Sequence, residues 1–224
     1  MKLSIIIPTL NEAEGLPPLL AELYPVCGDD TEIIIADGGS HDGTPAIARR
    51  AGLPCVQAPR GRARQMNAGA AIASGELLLF LHADTRLPPG APAAMLTAIR
   101  AGAQWGRFDV RIAGQPFMLK VIARMINLRS RLTGIATGDQ AIFITRTGFT
   151  AIGGFPDQPL MEDIELSSRL LRAGWRPACL RPRVLTSGRR WESRGVWRTI
   201  LLMWQFRWAY WRGVPASQLA ARYR

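Results

Sequence analysis

The sequence of 224 residues predicts an α/β fold, a mostly parallel sheet covered by helices. Three observations lead there. Through the first hundred residues, short apolar runs rich in Ile and Leu alternate with segments of helical period, and an unbroken apolar strand is buried on both faces. Polar stretches follow those runs at once, as loops beyond the carboxyl ends of parallel strands do. The length suits one large domain, or two at most, with a sizeable core.

The elements follow in order. "LSIIIP", 3–8, reads as a strand, and Asn11 to Tyr24 carries a helix pattern. "EIIIA", 32–36, is a second strand, and Thr44 to Ala51 a second helix. "CVQAP", 55–59, is a weaker strand, "GRARQMNAGAAIASG", 61–75, a small-residue helix, and "LLLFL", 77–81, a fourth strand. Three polar loops, "PTLNE", "DGGSHDGT" and "HADT", therefore share one rim, where open α/β sheets bind ligands. Neither GxGxxG nor GxxxxGK follows the first strand, which argues against a dinucleotide site and a P-loop.

Each loop has its own chemistry. An ionised carboxylate is costly to bury alone, so Asp84 marks either the point where the fourth strand reaches water or a waiting cation. Asp37, among three glycines, is free to accept from a base N–H or a sugar hydroxyl; the plainer reading is a Gly-rich turn ending at the helix cap Thr44. Arg60, Arg62 and Arg64 stand near the start of a helix that contains Asn67, where anions are favoured, or else form a solvated basic face. Glu162 and Asp163 open a helix whose Ile164, Ser167, Leu170 and Leu171 form one face, stopped by Gly174. A helix N-terminus stabilises carboxylates, so Asp163 is expected to be ionised at neutral pH and able to accept a proton; two acids at a helix start without chemistry are the alternative.

The formal charge is +11 and is carried by Arg, with Lys only at 2 and 120. It attracts anions such as diphosphates, anionic lipid or nucleic acid, and its sign does not choose among them. Cys27, Cys55 and Cys179 are odd in number and lack CxxC spacing, which suits unpaired thiols in a reducing compartment. Met1 and Lys2 lead straight into a run too short for a signal h-region, so no targeting segment is expected and the cytoplasm is the expected location.

"SIIIPTLNEAEGL", "DGGSHDGT", "GRARQMNAGAAIASGELLLFLHADT" and "MEDIELSSRL" together resemble, in order and spacing, the nucleotide-diphospho-sugar glycosyltransferases of family 2, and among them a compact bacterial subgroup. The likeness runs from about residue 3 to 175. It implies the GT-A fold, a Rossmann-like α/β sheet, as a domain over 1–190, with a nucleotide-sugar half to about residue 100 and an acceptor half beyond. It implies a nucleotide diphosphate sugar donor, a UDP-sugar before others, no nucleic acid, and inverting transfer to an acceptor hydroxyl. Nucleoside binding carries over to Pro8, Thr9, Glu12 and Asp37, with Arg62, Asn67 and Ala83 on the same donor side. The last Asp of the family's Asp-x-Asp, which holds Mn²⁺ or Mg²⁺ on the diphosphate, maps to Asp84. His82 replaces the first; an imidazole is a poor Mg²⁺ ligand and a tolerable one for Mn²⁺. The Glu-Asp pair maps to Glu162 and Asp163, the latter the base. Asp139 and Gln140 match a segment bordering the acceptor site, and Arg189 and Arg190 stand where relatives place a metal-ligand His or a basic diphosphate clamp. The rival readings are a nucleotidyltransferase, whose Gly-rich basic loop is missing after the first strand, and a catalytically silent nucleotide-sugar binder or membrane-associated protein.

The C-terminal segment 191–224 stands apart. Five of the seven Trp residues fall between 191 and 211, and Trp197, Leu201, Trp204, Trp208 and Trp211 form one stripe of an amphipathic helix. Its apolar core is far short of the ~20 residues that span a bilayer, and Arg198, Arg207 and Arg212 interrupt it. The stripe packs on the catalytic domain, joins two subunits, or lies in the membrane interface on the cytoplasmic face.

Overall fold

The computed structural model describes residues 1–223, except for the side chains of Arg190, Arg194 and Tyr223. Its centre is an eight-stranded sheet of β1 (Leu3–Thr9), β2 (Thr31–Asp37), β3 (Cys55–Gln57), β4 (Leu77–Phe80), β5 (Thr85–Arg86), β6 (Trp105–Ile112), β7 (Ile142–Thr145) and β8 (Ala178–Thr186), in the order β3-β2-β1-β4-β7-β6-β8-β5. The first four sheet positions are parallel, β7 is antiparallel to both neighbours, β6 and β8 are parallel to each other, and β5 pairs antiparallel to β8. The sheet is thus mixed but mostly parallel.

Burial explains the unbroken apolar runs. Ile5 and Ile7 of β1, Ile33 and Ile35 of β2, and Leu77 and Leu79 of β4 enter one core layer. Their neighbours Ile6, Ile34, Leu78 and Phe80 enter the layer on the other face. Strand residues alternate between faces, and here both faces are dry, so the central positions of these strands are apolar without alternation.

Helices α1 (Leu16–Leu23), α2 (Thr44–Arg50), α3 (Arg62–Ile72), α4 (Ala91–Arg100), α5 (Met118–Thr133), α6 (Arg146–Ala151) and α7 (Glu162–Arg172) connect the strands, and a 3-10 turn, Gly138–Gln140, precedes β7. The first helix starts five residues later than its periodicity suggests. Asn11 takes a left-handed backbone, and the 11–13 stretch is spent on the next loop: Asn11 N donates to Ser40 Oγ, Glu12 N to Thr44 Oγ1 and Ala13 N to Asp42 Oδ2, each at 2.9 Å. In α7 the buried face is Glu162, Leu166, Ser167 and Leu170, while Ile164 turns toward the C-terminal helices.

Three helices end the described chain, α8 (Arg189–Arg194), α9 (Val196–Trp211) and α10 (Ala216–Tyr223). A division after residue 190 falls inside α8. Phe206 and Leu219 bury against Met161, with Leu160, Ile164, Leu202, Ala209 and Tyr210 around them, so α9 leans on the segment that leads into α7. Cys27, Cys55 and Cys179 are free thiols.

Candidate active site

The loops after β1, β4 and β8 enclose a cleft of about 370 Å³ lined by Glu12, Ala83, Asp84, Arg86, Thr186 and Arg189, among others. Its floor depends on a contact far apart in sequence. The pairing of β5 with β8 sets Thr85 opposite Thr186, with their hydroxyls 3.1 Å apart, and Ser187 N donates to Asp84 O. Gly188 lies so close to Ala113 O that a Cβ there would meet it at 2.0 Å. Only glycine admits this approach, and it turns Arg189 into the cleft.

Asp84 is exposed here, with Thr85 Oγ1 3.4 Å from its Oδ1. Burial pushes the Glu12 carboxyl up, the Arg189 guanidinium opposes that, and the Asp84 and Asp42 carboxylates add to it. Among the described residues, no three His, Cys, Asp or Glu side chains form a metal cage. A single exposed carboxylate fits a hard cation that draws its remaining ligands from diphosphate oxygens and water. The residues present therefore suit a cation shared with substrate.

A second, smaller space lies on the other side of the 82–84 loop. His82, Gly138, Glu162 and Asp163 line it, with Met66, Phe80, Ile142 and Phe155 behind. Its volume of about 10 Å³ has room for roughly one water, so any larger ligand must enter through the first cleft. Asp163 Oδ2 accepts from Gly138 N at 2.8 Å and Oδ1 from Ile164 N at 2.7 Å. These bonds favour the anion, but burial outweighs them and raises the Asp163 carboxyl above the usual range, with the Asp139 charge adding to the rise. That reverses the direction expected from a helix N-terminus. Glu162, 7 % exposed, is likewise pushed up by burial and then by Asp163, while Arg62 opposes the shift.

The remaining candidates separate into working surface and scaffold. His82 sits on the Asp163 side: its Nδ1 is 3.5 Å from Asp139 Oδ1, and its Cε1–Nε2 edge packs where a Gly138 side chain would stand. This draws it away from ligation beside Asp84. Arg62, exposed at the start of α3, acts electrostatically on both Glu12 and Glu162.

Asp37 is not free. Only 2 % exposed, it accepts from Gly39 N and Ser40 N on Oδ2, and from the Ser40 and Thr9 hydroxyls on Oδ1. A carboxylate has about four acceptor sites, so the loop's own donors occupy it. Thr9 and Pro8 are buried beneath. Asn67 gives both faces of its amide to the Phe155 backbone, at 2.8 and 3.0 Å. Gln140 is fully buried and closes the 3-10 turn through Thr137. Arg64 forms a two-bond ion pair with Asp157. The side chain of Arg190 lies outside the described residues.

Two positions carry more than the sequence disclosed. Gln65, 4 % exposed, donates through Nε2 to Thr9 O and Ala36 O and ties the ends of β1 and β2. Gly138 supplies both the N–H for Asp163 and the space for His82. A polar side chain in the apolar face of a helix, and a glycine directly before an acid, were the available signals.

A mostly parallel mixed sheet with carboxylates and arginines gathered past its carboxyl ends defines a GT-A-like protein. Residues 4–152 match glycosyl transferase family 2, and the chain belongs to that family. An undecaprenyl-phosphate 4-deoxy-4-formamido-L-arabinose transferase of Aeromonas hydrophila subsp. hydrophila is 35 % identical over 97 residues, 38 % of this chain and 30 % of that protein. Among solved structures, Staphylococcus aureus TarS 1-349 superposes with a TM-score of 0.65 at 18 % identity, covering 84 % of this chain and 61 % of that one. The mannosyltransferase PcManGT of Pyrobaculum calidifontis, in complex with GDP-Man and Mn²⁺, gives 0.62 at 24 % identity, over 82 % of this chain and 56 % of that one. The Mycobacterium tuberculosis glucosyl-3-phosphoglycerate synthase, in complex with Mn²⁺, UDP and glucosyl-3-phosphoglycerate, gives 0.61 at 19 % identity, over 81 % and 70 %. At these identities the structures establish the fold alone. The chain spans under a third of the curated relative's length and about three-fifths of TarS 1-349.

Proposed function

We propose that this chain is an inverting glycosyltransferase that moves a sugar from a UDP-sugar to an acceptor hydroxyl at a membrane surface. The observation that carries the reading is the placement of Asp84 and Asp163 on opposite sides of one short loop, the first in an open cleft and the second in a half-buried pocket. The cleft accepts the nucleotide diphosphate, with Arg189 facing the diphosphate and Asp84 holding Mn²⁺ or Mg²⁺. When bound, that cation neutralises charge on the departing diphosphate. Asp163, oriented by Gly138 and Ile164 N–H groups, accepts the proton of the attacking hydroxyl. Incubating the purified chain with UDP-sugars and Mn²⁺ and measuring UDP release tests the reading. Release that depends on cation and on Asp163 is expected, and its absence across the common UDP- and GDP-sugars would remove the assignment.

The membrane side rests on α9. Trp197, Leu201, Trp204, Trp208 and Trp211 are each well over half exposed, Trp211 at 82 %, while the opposite face packs on Met161 beside the Glu162–Asp163 pair. The helix contains no acid, Arg198 and Arg212 are exposed beside the stripe, and Arg212 lies over the Trp208 ring at 4.7 Å. Aromatic rings with flanking arginines match an anionic lipid interface, each basic residue contributing about 1 kcal/mol. Among the described residues no helix is long and apolar enough to cross a membrane. Changing Trp204, Trp208 and Trp211 to Ser spares the packed face and should lower sedimentation with phosphatidylglycerol vesicles at least tenfold, at unchanged melting temperature. Partitioning equal to the parent would leave the stripe as a contact between subunits.

A further inference from the structure

Helix α5 has two apolar faces. The inner one, Leu119, Ile122 and Ala123 with Ile126 beside them, enters the core layer that Ile5 and Ile7 of β1 also enter. A helix on the surface of a sheet ordinarily turns polar residues to the other side. Here the outer side is apolar as well: Phe117, Met125, Leu128 and Leu132 are each more than half exposed, Leu132 at 72 %. With half-buried Val121 they recur in steps of four, four, three and four, which is one continuous stripe along the helix, away from the core. Single exposed apolar side chains are ordinary, but an unbroken row of them marks a contact.

The charge beside the stripe selects the partner. Between Asp109 and Asp139 the chain contains no acid. Lys120 and Arg124 are exposed one turn apart on one flank of the stripe, and Lys120 Nζ stands 5.9 Å from the centre of the Phe117 ring. A second copy docked face to face would bring the same cations against each other, with no acid on either helix to separate them. An anionic bilayer meets both features, the acyl boundary taking the stripe and the headgroups taking the flank.

Placement in the fold joins this stripe to the one on α9. Trp191 of α8, with Val196 and Ile200 of α9, packs on the same core layer as Leu119 and Ile122, and Gln115 N donates to Glu192 Oε1 of α8 at 3.2 Å. Helices α5 and α9 therefore cover the same side of the sheet. They also bracket the acid pair: the chain leaving α5 runs to Gly138, whose N–H holds Asp163, and α9 leans on Met161.

We propose that α5 is a second contact with an anionic lipid surface, so that the chain docks on two helices rather than on one. Phe117, Met125, Leu128 and Leu132 enter the acyl boundary, and Lys120 and Arg124 meet the headgroups. This rests on the membrane reading of α9 and deepens it. One helix leaves the chain free to pivot, whereas two fix its orientation and hold the segments on either side of Glu162 and Asp163 at the bilayer.

Sedimentation of the full chain with phosphatidylglycerol vesicles tests this, with melting temperature and mass in solution measured for each variant. Met125→Gln, Leu128→Gln and Leu132→Gln together keep good helix formers at exposed positions, so the melting temperature should hold. Partitioning should fall roughly tenfold or more. Lys120→Glu with Arg124→Glu should weaken binding to phosphatidylglycerol vesicles and leave any binding to phosphatidylcholine vesicles within about twofold. Joining the Gln set to Trp204→Ser, Trp208→Ser and Trp211→Ser should remove measurable binding, since each set alone leaves the other helix in contact. Partitioning of the Gln set equal to the parent, or no binding by the parent, overturns the proposal. A dimeric parent and a monomeric Gln variant that partition alike also overturn it, and assign the stripe to a second copy. Loss with the Gln set but not with the Ser set removes the α9 reading and leaves α5 as the docking helix. No sugar donor enters these measurements, so failure of the transferase reading shows separately, in UDP release.

Discussion

Asp163→Asn is expected to lower transfer by about 10²- to 10⁴-fold, the range a positioned general base contributes, while UDP-sugar affinity stays within a few-fold. The selectivity follows from geometry: Asp163 faces the His82 and Gly138 pocket, and the cleft proposed for the donor lies beyond the 82–84 loop. The amide retains one acceptor for either Gly138 N or Ile164 N and meets the other with its own NH₂, so a modest drop in melting temperature accompanies the loss. A pH profile adds a second readout. Burial holds the proton on Asp163 and Glu162 to higher pH in the folded chain than in the unfolded one. Activity should therefore rise with pH through a value above the ordinary carboxylate range. Stability should fall over that same window, because the folded state binds more protons there. Asp163→Asn should flatten that fall. Turnover within tenfold of the parent would take Asp163 out of the mechanism.

Asp84→Ala is expected to abolish cation-dependent donor binding. A ligand present at 100 times its Kd stabilises by about 2.7 kcal/mol, which in a chain of this size raises the melting temperature by roughly 5–10 °C. The parent should show such a shift with UDP-sugar and Mn²⁺, lose most of it with chelator, and the variant should show none with or without metal. Asp84 is exposed and its side chain supports no packing, so the unliganded melting temperature should be unchanged. An equal shift in parent and variant would place the cation elsewhere or remove it.

The positions of these two residues at the ends of elements were legible in the sequence because each stands at a change of pattern, Asp84 where an apolar strand stops and Asp163 where a helix starts. The scaffold residues were not. Asp37, Asn67 and Gln140 are polar residues in loop or helix positions that a ligand could equally have occupied, and their donors and acceptors are satisfied by groups near and far in the chain: Ser40, Phe155 and Thr137. A single sequence does not reveal which hydrogen bonds are already made.

The sequence by itself determined the parallel strands β1, β2 and β4, the loops at their carboxyl ends, the acids Asp84 and Asp163, and the aromatic stripe of α9, because hydrophobic period and chain breaks are local properties. Tertiary structure alone decided the antiparallel insertion of β7 and the β5–β8 pairing that carries Arg189 into the cleft. It also decided the position of His82 against Gly138 and the upward shift of Asp163. Each of these depends on contacts between segments tens of residues apart, and on the water those contacts exclude. Burial, which sets the charge of a carboxylate, is a property of the assembled fold and not of any stretch of chain.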